Sequence, residues 1–292
     1  MNAMNKWRFL IPVFFSFLLP GMGQLYNGQA VKAAGILVGL FLFFVINTAL
    51  WLHVTGPAQY PLFLTLVGLV VVLWVYAQID TILVARCPCG ERRWYQRWHG
   101  FLPVFLAVTI LLNVVANLVR ESYVEPFANP TESMLPTVWV GDRFYVDKRK
   151  ESLREWKRGD LILYRSPQNP SVTYLKRILG IAGDTVEKTK DGMKVNGIAA
   201  SEPQPCEKST LPDDFPSALC RLEKSGEREY FILAGTTPET MPKVTLPEGT
   251  IFVIGDNRPN TSYGPIPVTA AIGRPLKTWY ATTWQRMGRA LR

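Results

Sequence analysis

The first 120 residues and the remainder of the chain follow different hydrophobic patterns. Residues 33–52, 62–79 and 101–119 are apolar runs without a charged side chain, each long enough as a helix to cross about 30 Å of hydrocarbon. They predict three transmembrane helices. A fourth run, residues 9–19, is shorter, contains Pro12 and stops at Pro20, which suits a segment that lies in the interface or re-enters. After residue 120 the apolar residues come in short β-type runs: Arg143-Phe-Tyr-Val146, Leu161-Ile-Leu-Tyr164, residues 173–181, residues 230–233 and Ile251-Phe-Val-Ile254. Turn residues separate them, among them Arg158-Gly-Asp160, Ala182-Gly-Asp184, Asp191-Gly and Asn196-Gly. The expected architecture is a membrane domain, residues 1–120, followed by a mostly-β domain of antiparallel sheets, residues 121–292, with a Pro-, Ser- and charge-rich insertion at about residues 199–228.

Charge sharpens this division. Residues 1–120 hold eight Lys/Arg and two Asp/Glu, whereas residues 121–292 hold 24 and 21. Most of the formal charge of +9 therefore sits beside the apolar runs, which argues against nucleic acid as a partner and for a lipid bilayer. The segment from Arg86 to Arg97 carries four Arg, while residues 53–60 carry no Lys or Arg. The first loop is expected in the cytoplasm. Three crossings then put the N-terminus in the cytoplasm and the β-rich domain on the exported side. Lys6, Arg8 and the run that follows also fit a cleaved leader with Gly21-Met-Gly23 as its small-x-small site; the basic loop keeps its side under either reading. Pro20-Gly-Met-Gly-Gln-Leu-Tyr-Asn-Gly28 resembles the turn of a small two-helix membrane module found alone or fused in bacterial proteins.

Cys87 and Cys89 would be cytoplasmic and reduced, and a lone Cys-x-Cys is weak evidence for metal. Cys206 and Cys220 fall in the exported part, where a disulfide is the default. No cofactor or metal is expected. Residues 121–292 contain no His, so a Ser-His-Asp or Cys-His hydrolase made from this domain alone is excluded. A hydrolase here needs another base, and Lys can serve once burial among apolar groups favours its neutral form. In Tyr174-Leu-Lys-Arg-Ile-Leu-Gly-Ile181, Lys176 has that setting. Strand alternation puts it on one face with Ile178, and Leu175, Arg177 and Leu179 on the other.

Tyr123-Val-Glu-Pro-Phe-Ala-Asn-Pro-Thr-Glu-Ser-Met-Leu-Pro-Thr137 resembles the nucleophile-bearing box of the type I signal peptidases. Arg158-Gly-Asp-Leu-Ile-Leu-Tyr164, Tyr174-Leu-Lys-Arg-Ile-Leu-Gly-Ile-Ala-Gly-Asp184 and Gly255-Asp-Asn-Arg258 resemble three further boxes in family order. The resemblance implies a β-rich Ser/Lys protease in a bacterial inner membrane, acting on the signal peptides of exported preproteins after small-x-small sites. It makes Ser133 the nucleophile and Lys176 the general base, with the Thr131 hydroxyl and the Ser133 N–H as oxyanion donors. Phe127, Pro130, Met134, Tyr174 and Leu175 match the substrate cleft. Glu132 replaces a frequent Gly and should face solvent, because a carboxylate beside Lys176 would favour the ammonium. The last box is irregular; of its two hydroxyls, Ser262 is favoured over Thr261 to orient Lys176, since it precedes an aromatic residue and a Gly. Three alternatives stay open: a pilin- or conjugation-type processing peptidase of the same chemistry, a catalytically silent membrane-tethered binding protein, and a transporter, the last disfavoured because ionisable residues lie only near the span ends.

Overall fold

The computed structural model describes residues 10–53, 59–85, 93–203, 219–235 and 239–291. Cys87, Cys89 and Cys206 lie outside these residues. The chain divides into two compact units, Met1–Asn117 and Leu118–Arg292.

The first unit is helical: α1 Leu10–Leu18, α2 Met22–Tyr26, α3 Ala30–His53, α4 Gln59–Ala85 and α5 Trp98–Ser122. Three helical stretches, Ala30–Ala49, Leu62–Ala85 and Trp98–Ser122, are long and apolar enough to cross a membrane. The shorter run forms α1, only nine residues long. The reason for the small residues of the following turn is steric. A Cβ on Gly23 would sit 2.5 Å from the Pro12 carbonyl, 2.7 Å from Ser16 and 2.7 Å from Thr81, so α1, α2 and α4 meet where only a hydrogen fits. Polar groups line this junction. Gln24 is fully buried and donates to the Ala77 carbonyl at 2.7 Å, and Asn27 donates to the Thr81 carbonyl at 3.0 Å.

The second unit is mostly β. Its strands are β1 Val124–Ala128, β2 Arg143–Asp147, β3 Leu161–Arg165, β4 Thr173–Gly180, β5 Thr185–Thr189, β6 Gly192–Val195, β7 Ile198–Ala199, β8 Ser201–Pro203, β9 Cys220–Ser225, β10 Arg228–Leu233, β11 Met241–Thr245, β12 Thr250–Ile254, β13 Tyr263–Pro267 and β14 Ala271–Tyr280. A seven-stranded sheet runs in the order β1-β2-β14-β3-β4-β12-β13, its pairs antiparallel. A four-stranded sheet, β11-β5-β6-β7, and a three-stranded sheet, β10-β9-β8, complete the unit. The smaller sheet β10-β9-β8 occupies the described part of the insertion. Cys220 is disulfide-bonded and packs with Leu135 and Leu233.

Strand β4 is the centre of the main sheet, paired with β3 and β12. Its alternation sorts the core. Ile178 packs with Ile162, Tyr164, Ile251 and Val253, Leu175 packs with Met134, Leu161 and Leu163, and Leu179 packs with Phe252 and Ile254. Residues 279–286 continue β14 to Tyr280 and then turn. Arg286 is buried and pairs with Asp142 at 2.7 Å.

Candidate active site

Strands β1 and β2 form a hairpin whose 129–142 loop carries Ser133. The neck closes through Asn129 N–H to the Asp142 carbonyl and Gly141 N–H to the Asn129 carbonyl, both 2.8 Å. The buried Asn129 amide then donates inward, to the Thr131 carbonyl at 2.8 Å and the Trp139 carbonyl at 3.0 Å. Asp142 accepts from the Trp139 N–H at 2.8 Å. Such side-chain bonds replace the ladder that an irregular segment lacks, so the loop has a defined shape.

Ser133 is half-buried, and its Oγ lies 3.1 Å from Thr131 Oγ1. Glu132 is exposed. The carbonyls on either side of the Ser133 nitrogen are gripped by one residue that the sequence reading passed over: Asn257 donates its backbone N–H to the Ser133 carbonyl at 3.1 Å and its side-chain amide to the Glu132 carbonyl at 3.1 Å. Its signal was the Gly-Asp-Asn triplet, read only as the opening of the last box.

Lys176 faces Ile162 across the β3–β4 ladder and is 2% exposed. Burial lowers its pKa to about 8, against a smaller opposing pull from Asp256. Its Nζ donates to Thr261 Oγ1 at 2.5 Å. Ser262 instead offers its carbonyl to Thr261 Oγ1 at 3.1 Å, which corrects the preference for Ser262 by one position. Thr261 is in extended backbone, where neighbouring side chains leave on opposite sides, so only one hydroxyl of the pair can meet the lysine.

Gly255 binds the parts together. A Cβ there would lie 2.2 Å from Thr261 Oγ1 and 2.3 Å from the Ser133 carbonyl. The lysine's partner and the backbone of Ser133 therefore approach across a residue that must lack a side chain.

Behind this point Arg177, wholly buried, meets an equally buried Asp256 at 2.7 and 2.8 Å and gives a third bond to the Gly159 carbonyl at 2.8 Å. Thr137 of the 129–142 loop donates to Asp256 at 2.5 Å. The guanidinium lies 3.8 Å from the Tyr230 ring centre, Tyr230 donates to Glu223 at 2.7 Å, and Arg258 donates to Glu223 at 2.5 Å. The insertion is thereby tied to the last box by charges that no sequence pattern announced.

The five cleft residues divide. Tyr174 is 38% exposed, Pro130 is exposed and Phe127 half-buried. Met134 and Leu175, by contrast, sit in the core at 0% and 8% exposure. Met134 thus has no free surface for a peptide to touch, because its side chain completes the packing under the loop. Among the described residues no group of three or more His, Cys, Asp or Glu is placed to hold a metal.

A family model described as signal peptidase, peptidase S26, matches residues 102–280, more than half of the chain. The chain belongs to the signal peptidase S26 family. It is 34% identical over 159 residues to a signal peptidase I of Pseudomonas aeruginosa, covering 49% of this chain and 55% of that protein. To a signal peptidase I of Bacillus licheniformis it is 34% identical over 134 residues, covering 46% and 62%. A probable thylakoidal processing peptidase 2 of Arabidopsis thaliana is 30% identical over 168 residues, with 54% and 38% covered. The chain spans about half the length of the curated Pseudomonas relatives it matches. A crystal structure of a signal peptidase I from Enterococcus faecalis V583 shares 27% identity and covers 41% of this chain and 97% of its own, at a TM-score of 0.27. Within the S26 match fall Ser133, Lys176, Thr261, Gly255 and Asn257 alike.

Proposed function

We propose that this chain is a membrane-anchored serine endopeptidase, a signal peptidase I, that removes N-terminal signal peptides from exported preproteins after small-x-small sites. One observation carries the reading: a buried lysine with no ion-pair partner among the described residues, its Nζ held by Thr261, on the far side of Gly255 from the backbone of Ser133.

Neutral Lys176 takes the Ser133 hydroxyl proton as Oγ attacks the scissile carbonyl, and returns it to the leaving amine as the acyl-enzyme forms. A water then attacks the ester, again giving its proton to Lys176, and Ser133 leaves with that proton restored. Thr131, whose hydroxyl is 3.1 Å from Ser133 Oγ, and the Ser133 N–H serve the oxyanion. Thr261 accepts no role in bond breaking; it aims the amine. An extended peptide adds along the edge near Phe127 and Tyr174, and small side chains at alternate positions give the Ala-x-Ala preference. The three apolar helices hold the protein in a bacterial inner membrane, N-terminus in the cytoplasm and β-rich unit, residues 121–292, on the exported side, where preproteins emerge.

Purified full-length protein should cleave a preprotein carrying Ala-x-Ala immediately after that site, and the Ser133→Ala protein should not. An intact preprotein under conditions where a Pseudomonas signal peptidase I cuts it would sink the reading.

A further inference from the structure

Three candidate span ends meet at one end of the helical unit. There Lys32, near the start of α3, pairs with Asp80, near the end of α4, at 2.9 Å. The short turn Trp94–Gln96, just before α5, is fastened to the same place: Gln96 donates to the Tyr26 carbonyl at 3.1 Å and accepts from the Arg93 N–H at 2.8 Å, and Tyr95 donates to the Gly28 carbonyl at 3.5 Å. Gly100 leaves no room above Trp94, since a Cβ would lie 2.3 Å from its carbonyl. Residues 93–98 are therefore a fixed platform at the depth where the candidate spans Ala30–Ala49, Leu62–Ala85 and Trp98–Ser122 begin or end, which is headgroup depth in a bilayer.

What the platform displays is unusual for a surface without a partner. Trp94 is 68% and Trp98 76% exposed, and Arg93 and Arg97 beside them are exposed with no acidic partner among the described residues. Of the described charges at this end Lys32, Arg93 and Arg97 are basic and Asp80 is acidic, and Asp80 is occupied by Lys32. Interfacial tryptophans and paired guanidinium groups are the side chains that anchor at the headgroup level and bind phosphate bidentately.

We propose that Arg93, Trp94, Arg97 and Trp98 form a binding platform for anionic phospholipid headgroups on the cytoplasmic leaflet. The guanidinium groups hold the phosphate, and the indoles lie along the boundary between headgroup and acyl chain. The occupant is a lipid rather than a free phosphate, because two large exposed indoles gain nothing from a soluble anion.

Full-length protein in a nonionic detergent, titrated with phosphatidylglycerol or with phosphatidylcholine of the same acyl chains, tests this by counting bound lipid in native mass spectra. Wild type should retain phosphatidylglycerol at least about 25-fold more tightly. Arg93→Gln/Arg97→Gln should lose about 5-fold for each arginine, about 25-fold in all, with phosphatidylcholine retention unchanged. Arg93→Lys/Arg97→Lys should keep most of the preference, which separates lost charge from lost fold. Equal retention of the two lipids by wild type, an undiminished preference in the Gln variant, or displacement of the lipid by excess glycerol phosphate would each overturn the proposal. None of these readings depends on peptidase activity.

Discussion

The two sides of strand β4 treat a buried cation in opposite ways. On one side Lys176 lies against apolar neighbours with a hydroxyl as its hydrogen-bond acceptor. On the other, one residue along, Arg177 is wholly buried against a carboxylate, a carbonyl and an aromatic face. Burial alone penalises charge, and a partner restores it. The lysine is accordingly drawn down to about 8, whereas the guanidinium, which burial alone would lower, is raised above its ordinary value by Asp256, Tyr230 and Glu223 together. One strand thus supplies a base that gives up its proton near neutrality and a cation that never does. The two residue types are not interchangeable here, since Lys shifts readily and Arg stays charged.

The largest effect should come from removing the titrating side. Lys176→Ala and Ser133→Ala are each expected to lower turnover by at least about a thousandfold while the melting temperature holds, because each removes half of the proposed Ser/Lys dyad and residues 121–292 hold no His to stand in; single-turnover assays and thermal melts on the same preparations check both halves. Breaking the paired side should do the reverse. Asp256→Asn leaves Arg177 charged and buried, at a cost of about 3–5 kcal/mol, read in denaturant unfolding of the variant against wild type. A variant of unchanged stability would remove the distinction between the two sides.

The next test concerns what aims the lysine. Thr261→Val should cut turnover by roughly 10- to 100-fold, as expected for loss of a hydrogen bond of about 1.5–3 kcal/mol, while Thr261→Ser should recover most of it and Ser262→Ala should change it less than about twofold. Should Ser262→Ala prove the more damaging, the assignment of Thr261 is wrong. Glu132→Gln, at an exposed site, is expected to have the smallest effect, under about twofold in turnover and within ~0.5 kcal/mol in stability.

Much of this site could be read from residues alone, because the features that mattered are local. Short apolar runs with Gly-Asp punctuation mark β2, β3, β4 and β12, and the lack of His after residue 120 leaves Lys176 as the base to be considered. What could not be read depends on contacts distant in sequence. Thr261 and Ser262 both carry hydroxyls, and only the way the extended chain enters β13 decides which one meets Lys176. Asn257 grips residues 132 and 133 across more than a hundred positions, and Glu223 reaches Arg258 from the Pro-, Ser- and charge-rich insertion. Met134 matches a substrate-cleft position of the family, yet the turn of the loop buries it completely. Strands β5 to β9 escaped notice for a related reason: several are short and rich in Lys, Glu and Thr, with too few apolar residues to announce a buried face.

The central claim, that Lys176 works as a neutral base because it is buried with a hydroxyl as its hydrogen-bond partner, is tested most directly by kcat/KM for cleavage of an Ala-x-Ala preprotein as a function of pH. A base with its pKa lowered to about 8 is protonated and idle below that value, so kcat/KM should climb about tenfold per pH unit from about pH 6, bend near 8 and level off above it. A profile flat across that range, or one still rising past about pH 10 as an unperturbed lysine would give, would contradict the account.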